Sequence, residues 1–203
     1  RIESRRTSVA NLQEAAAQLR TDNLNAEGRL RDLGARYGDV QARGATLGAL
    51  SGFEAVRGDG VRLTLDNSPL ASSSDQIRAS DLVLVVNALW QSGAEAVAIN
   101  GQRVASTGAI STSGDAIEVN FRGIAPPYTI LAIGDQGTLS SRFVDSGSAL
   151  QFVAAANQFG FSWDMENEDD LRLPAAPASL QRLRYATEMT NPKGDGGGPP
   201  CSR

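Results

Sequence analysis

Leu12, Leu19, Ala26, Leu33, Val40 and Leu47 recur every seven residues through the N-terminal quarter of the chain. Offset from them by four fall Val9, Ala16, Asn23, Leu30, Tyr37 and Gly44. With the first set at d and the second at a, the repeat reads as a coiled-coil seam, and the polar Asn23 at an a position sets its register. The seam carries its own weakness. Gly28, Gly34, Gly38, Gly44 and Gly48 each cost a helix interior about 1 kcal/mol relative to alanine, and Asp22 and Glu27 repel rather than pair beside it. Two readings of this stem, residues 1–50, stay open: residues 8–42 pair with a second copy, or the helix lies along its own domain.

Such a stem needs a folded unit behind it. The chain has 203 residues, 41% hydrophobic and 21% charged, enough for one globular domain with a core. Several chemistries are excluded by residue type. There is no histidine, so neither a serine–histidine nor a cysteine–histidine nucleophile exists, nor an imidazole metal site. The single cysteine, Cys201, cannot form an internal disulfide. No phosphate-cradling glycine motif is present, and no metal or cofactor is expected. The net charge of −4 offers no basic field for nucleic acid. No run of about 18 apolar residues occurs, so a membrane contact would have to come from an anchor upstream of Arg1.

From Gly52 the period changes. "RGDGVRLTLDNSP" reads as a turn at Asp59-Gly60 and then a strand, with Val61, Leu63 and Leu65 alternating against Arg62, Thr64 and Asp66. "ASDLVLVVNALWQSG" predicts a helix over 80–92, with Ser80 as N-cap, a buried stripe of Leu82, Val83, Val85, Val86, Leu89 and Trp90, and Gly93 as its stop. "EAVAI" follows as a strand, and Asn100-Gly101 is a favoured pair for a two-residue hairpin turn. "GQRVASTGAIST" returns beside it. After a turn at Ser113–Asp115, "AIEVNFRG" alternates as one strand through Phe121, and "YTILAIG" is the next. "DQGTLSSRFVDSGSALQFVAAANQFG" is one broken helix or two, ending at Gly160. Phe161, Trp163 and Met165 then alternate as a strand, "DMENEDD" is an acidic turn, and "DLRLP" is a neighbouring strand. The order implies an α+β fold, a ferredoxin-like βαββαβ arrangement with an enlarged mixed sheet. Helices cover one face; the other is covered by the stem or left for another subunit. The domain occupies 51–189, "SLQRLRYATEM" docks back as a last element, and 190–203 is a disordered tail.

Polar residues concentrate at the helix-to-hairpin junction. Asn87, Glu95, Asn100 and Arg103 offer two amides, a carboxylate and a guanidinium, and are the candidate ligand-binding residues; Glu95 and Arg103 also face each other as a cross-strand pair. "AIGDQGTL" is a strand, a turn and a helix start, a geometry that presents backbone N–H groups to an anion or simply caps a helix. No catalytic constellation emerges.

The order of motifs DL-x4-N, GAEA, INGQR, PPY and AIGD, ending near "LRYA", resembles the YlxW-like bacterial "division initiation protein" family over about residues 52–187. The positions that match are Asn87, Gly93, Ala94, Glu95, Asn100, Gly101, Arg103, Pro127, Tyr128 and Gly134. The resemblance implies an N-terminal membrane helix ahead of the stem, a single-pass location with this part outside the membrane, and a link to division and envelope partners. It implies no catalytic residue. The expectation is therefore a non-enzymatic, membrane-anchored scaffold, with a small-ligand-binding regulatory module as the alternative.

Overall fold

The computed structural model describes residues 2–70, 72, 75–114 and 116–181. One helix, α1 (Ile2–Ser51), runs for 50 residues, about 75 Å at the usual rise. Gly52, at φ +86, ends it, and the amide of Phe53 folds back onto the Gly48 carbonyl at 2.7 Å. Its described side chains are exposed along the helix except around Gly28 and in the last turn. The helix therefore does not lie along its own domain.

The domain is built from β1 (Val56–Asp66), α2 (Ala79–Gln91), β2 (Ala96–Ile99), β3 (Gln102–Arg103), β4 (Ile110–Ser113), β5 (Ala116–Val119), β6 (Arg122–Ile124), β7 (Tyr128–Ile133), α3 (Gln136–Asp145), α4 (Gly147–Phe159) and β8 (Ser162–Leu173). A five-stranded sheet has the order β3-β2-β7-β1-β8, and β4-β5-β6 form a separate three-stranded sheet. Every strand pair is antiparallel, so the expected single mixed sheet is replaced by two antiparallel ones. The helices α2, α3 and α4 pack on the sheet face that carries Val61, Leu63 and Leu65 of β1 and Tyr128, Ile130 and Ala132 of β7. Trp163 of β8 lies against the rings of Phe143 and Phe152, at 6.3 and 6.1 Å. On the opposite face Ala96, Ala98, Ile133, Leu171 and Leu173 make a smaller cluster.

Several elements depart from the sequence reading. Asp59-Gly60 is not a turn; β1 continues through it and pairs with β8 along its whole length, with a bulge between Gly58 and Gly60. A Cβ on Gly60 would stand 1.9 Å from the Ala132 carbonyl oxygen, so the glycine is there for the close approach of β7. "DMENEDD" is likewise no turn. Its carboxylates alternate with Trp163, Met165 and Asn167 along β8, and Glu168 meets Arg62 of β1 in a two-pronged ion pair at 2.5 and 2.6 Å. "AIEVNFRG" is two strands. Asn120 and Phe121, at φ +55 and +64, make the two-residue turn between β5 and β6 and leave Phe121 73% exposed. Arg78, not Ser80, precedes the first turn of α2, and its amide donates to the Asp81 carboxylate at 2.8 Å. Val83 and Trp90 stand outside the buried stripe. The Asn100-Gly101 turn, at φ +45 and +74, and the stops at Gly93 and Gly160 lie where the sequence puts them. The expected docking of Ser179–Met189 and the tail lie outside the described residues beyond Gln181.

Two carboxylates are held below their usual range. Arg62 does this to Glu168 through its hydrogen bonds, and the Thr138 hydroxyl and the Gly137 amide do it to Asp135. A folded-state value below the unfolded one adds stability above the unfolded value and loses it as pH falls through the folded one. With no histidine to titrate, denaturant midpoints are expected to stay level from about pH 6 to 8 and to fall below roughly pH 4. Glu168→Gln and Asp135→Asn should each shrink the acid-side fall.

Candidate functional site

The four polar candidates of the helix-to-hairpin junction go to separate places. Among the described residues, no hydrogen bond or ion pair joins any two of them. Glu95 is exposed at the start of β2, and its backbone amide donates to the Ile133 carbonyl. It does not pair with Arg103, because Arg103 stands opposite Ala98.

Asn100 uses its side chain to hold the loop before β7. Its Oδ1 accepts the Thr129 amide at 2.7 Å, and its Nδ2 donates to the Ala125 carbonyl at 3.0 Å. The "INGQR" turn is thereby tied to the "PPY" loop, and both amide ends of Asn100 are committed. Asn100→Gly, which keeps the turn's backbone freedom, is expected to cost about 1–2 kcal/mol, read as a lower denaturant midpoint.

Among the described residues Arg103 is the largest fully buried side chain, 2% exposed. Its guanidinium donates to the carbonyls of Ala49 at 2.9 Å, Glu54 at 3.1 Å and Pro174 at 3.5 Å. Ala49 lies in the last turn of α1, where carbonyls lack helical partners and a cation is favoured. Arg103 thus clamps three segments together: the stem's end, the lead into β1 and the strap after β8. Burial lowers its pKa from the ordinary arginine value. The amide of Ala176, donating to the Gly52 carbonyl at 2.8 Å, and that of Ser106, donating to Ser51 at 3.3 Å, fasten the same junction.

Asn87 lines a concavity. Val83, Asn87 and Trp90 share one face of α2 at spacings of four and three. They front a cleft of about 200 Å³ whose far wall is Val104, Gly108 and Asn120. Asn120 is 5% exposed; its Nδ2 donates to the Arg103 carbonyl at 2.7 Å, and its Oδ1 has no hydrogen-bond partner. That far wall escaped the sequence reading, since it is gathered from the β3–β4 connection, β4 and the end of β5; the spacing of Val83, Asn87 and Trp90 was the available signal. The anion-binding geometry at "AIGDQGTL" is filled from within, because the Asp135 carboxylate caps α3 through the Gly137 amide at 3.0 Å and the Thr138 hydroxyl at 2.8 Å. Among the described residues no three metal-ligating side chains come together.

The profile of a family described as bacterial proteins of unknown function (DUF881) matches residues 43–187, which is most of the chain and includes the clamp, the cleft and both sheets. The chain belongs to the DUF881 family. A UPF0749 protein of Mycobacterium tuberculosis is 33% identical over 120 residues, covering 59% of this chain and 38% of that protein. The UPF0749 protein YlxW of Bacillus subtilis is 34% identical over 93 residues, covering 43% of this chain and 40% of that protein. The chain thus spans well under half the length of these curated relatives. The crystal structure of an uncharacterized conserved protein from Mycobacterium tuberculosis superposes with a TM-score of 0.56 at 26% identity, covering 74% of this chain and 99% of that one. The likeness shows that the two chains share an α+β architecture and assigns neither of them an activity.

Proposed function

We propose that this DUF881 protein is a non-enzymatic scaffold of the bacterial cell envelope, anchored in the membrane ahead of the stem and linked to cell division. In this reading the stem gathers copies and envelope partners, and the domain holds the stem's end in a fixed orientation. One observation carries it. The d-position side chains of α1 are bare: Leu12 is 70% exposed, Leu19 63%, Leu33 60%, Val40 67% and Leu47 66%. A stripe of that length on a solitary helix in water has nothing to bury against, and helix stability in proteins comes mostly from such burial. A second stem in parallel register offers the matching stripe and sets Asn23 against Asn23.

The topology of the domain supports a ferredoxin-like reading. The strands β2-β7-β1-β8 take the order of a βαββαβ unit, with α2 between the first pair in sequence and α3–α4 between the second. On that reading β3 extends the sheet and β4–β6 are an insertion. No helix among the described residues is long and apolar enough to cross a membrane, so the proposed anchor belongs to chain outside this sequence.

The glycines of α1 make pairing weak between free chains, and a membrane anchor supplies the effective concentration that overcomes this. Asn23→Leu tests the register. Anchored chains carrying it are expected to associate more tightly but with a less uniform oligomer size, read by cross-linking in membranes. An unchanged cross-linking pattern would contradict the seam. Capture of the full-length protein from bacterial membranes, with division or envelope-synthesis proteins enriched alongside, tests the wider role.

A further inference from the structure

We infer that the cleft between α2 and the β4–β6 sheet is a binding site for one aromatic ring that carries an O–H or N–H donor. Its walls are mostly apolar. Val83 and Trp90 of α2 stand 36% and 39% exposed on one side, and Val104, Ile110 and Val119 line the other. A cavity of about 150 Å³ holds a benzene ring. This one measures about 200 Å³, room for a ring with a small substituent and less than most cofactor or metabolite sites occupy. The Trp90 indole offers the entering ring an aromatic partner.

Asn120 sets the demand for a donor. Its side chain is 5% exposed, and its Nδ2 is committed to the Arg103 carbonyl at 2.7 Å. That bond fixes which way round the amide sits, because the reverse orientation would set two carbonyl oxygens against each other. The Oδ1 is thereby turned towards Gly108 in the cleft wall, where a Cβ would stand 2.5 Å from it. The backbone of Gly108 lies outside the left-handed region, so it is this oxygen, and not the chain's conformation, that calls for glycine. Among the described residues no donor reaches Oδ1, and the atom is closed to water. A buried acceptor left in that state is costly, and a donor carried in on a group that also fills the apolar cleft relieves the cost. Asn87, exposed on the same face of α2, gives the opening a polar edge.

The test follows the backbone amides of the full chain by NMR, with p-cresol as the probe. Its control is 4-methylanisole, which keeps the ring and lacks the donor. p-Cresol should shift the amides of 83–90 and 104–120 and bind about tenfold more tightly than 4-methylanisole. Equal affinities, or no shift in those segments, would overturn the proposal. Trp90→Ala removes a partly exposed wall and should weaken p-cresol by about fivefold or more. Unchanged affinity in that variant would also overturn it. Two sources share this chemistry, a free phenol and a tyrosine side chain of a partner protein, and N-acetyltyrosinamide separates them. Binding at least as tight as that of p-cresol supports the ring site with a side chain as its occupant. Weaker binding than p-cresol supports it with a free phenol.

Discussion

Arg103→Ala is expected to destabilise the domain by about 3–5 kcal/mol, because it empties the space of a buried side chain and removes the donor shared by the carbonyls of Ala49, Glu54 and Pro174. For a domain of this size that is a fall of roughly 10 °C in melting temperature. The loss should be local as well as global. Amide exchange in the last turn of α1 and in 174–176 should accelerate before the central strands open. Arg103→Lys should recover only part of the loss, since one ammonium cannot span three carbonyls that a planar guanidinium reaches from two ends. An arginine that held a ligand would behave differently: its removal would leave the melting temperature of the free protein nearly unchanged.

Gly60→Ala is expected to be as damaging with a smaller change of atoms. The added methyl would meet backbone, the Ala132 oxygen at 1.9 Å and the Ile133 Cα at 2.9 Å, with no flexible side chain to yield. The β1–β7 ladder from Gly60–Ile133 to Leu65–Tyr128 would have to part, and β1 is the strand that joins β7 to β8. A cost of roughly 3 kcal/mol or more follows, measured by urea unfolding or seen as insoluble expression. Gly101→Ala is the contrast. At φ +74 with open space around it, it should cost only about 1 kcal/mol of backbone strain.

The same two residues show where the sequence was legible and where it was not. Local rules located α2, because Leu82, Val85, Val86 and Leu89 repeat at helical spacing and Gly93 stops them. They located the Asn100-Gly101 turn for the same kind of reason. "RGDG" carries equally good turn residues and is strand. Gly60 is demanded by the approach of Ala132, which lies seventy-odd positions away and leaves no local mark. "DMENEDD" misled in a related way: acidic residues suit a solvated turn, but here they line an edge strand, where charge discourages further pairing. Asn120-Phe121 was hidden by alternation that runs unbroken through a turn which asparagine makes easy and phenylalanine does not. At the junction the polar residue types stand out in the sequence, but their spacing does not show where each side chain goes. Asn87, Asn100 and Arg103 sit on three different parts of the domain, because one is on α2, one is in the β2–β3 turn and one is on β3, and each of those elements faces a different neighbour.

The proposal that the stem gathers copies of the chain can be put to one direct measurement. The lone Cys201 accepts a donor or an acceptor dye, and the N-terminus can be tethered to lipid vesicles at a fixed, sparse density. Energy transfer between tethered intact chains should exceed that of a variant carrying Leu12→Asp, Leu19→Asp and Leu33→Asp, which places charges along the d positions while leaving the domain untouched. Free chains at the same bulk concentration should show little transfer in either form. Equal transfer from the intact chain and the variant on the vesicle would contradict the account, since the exposed stripe of α1 would then not be what brings the chains together.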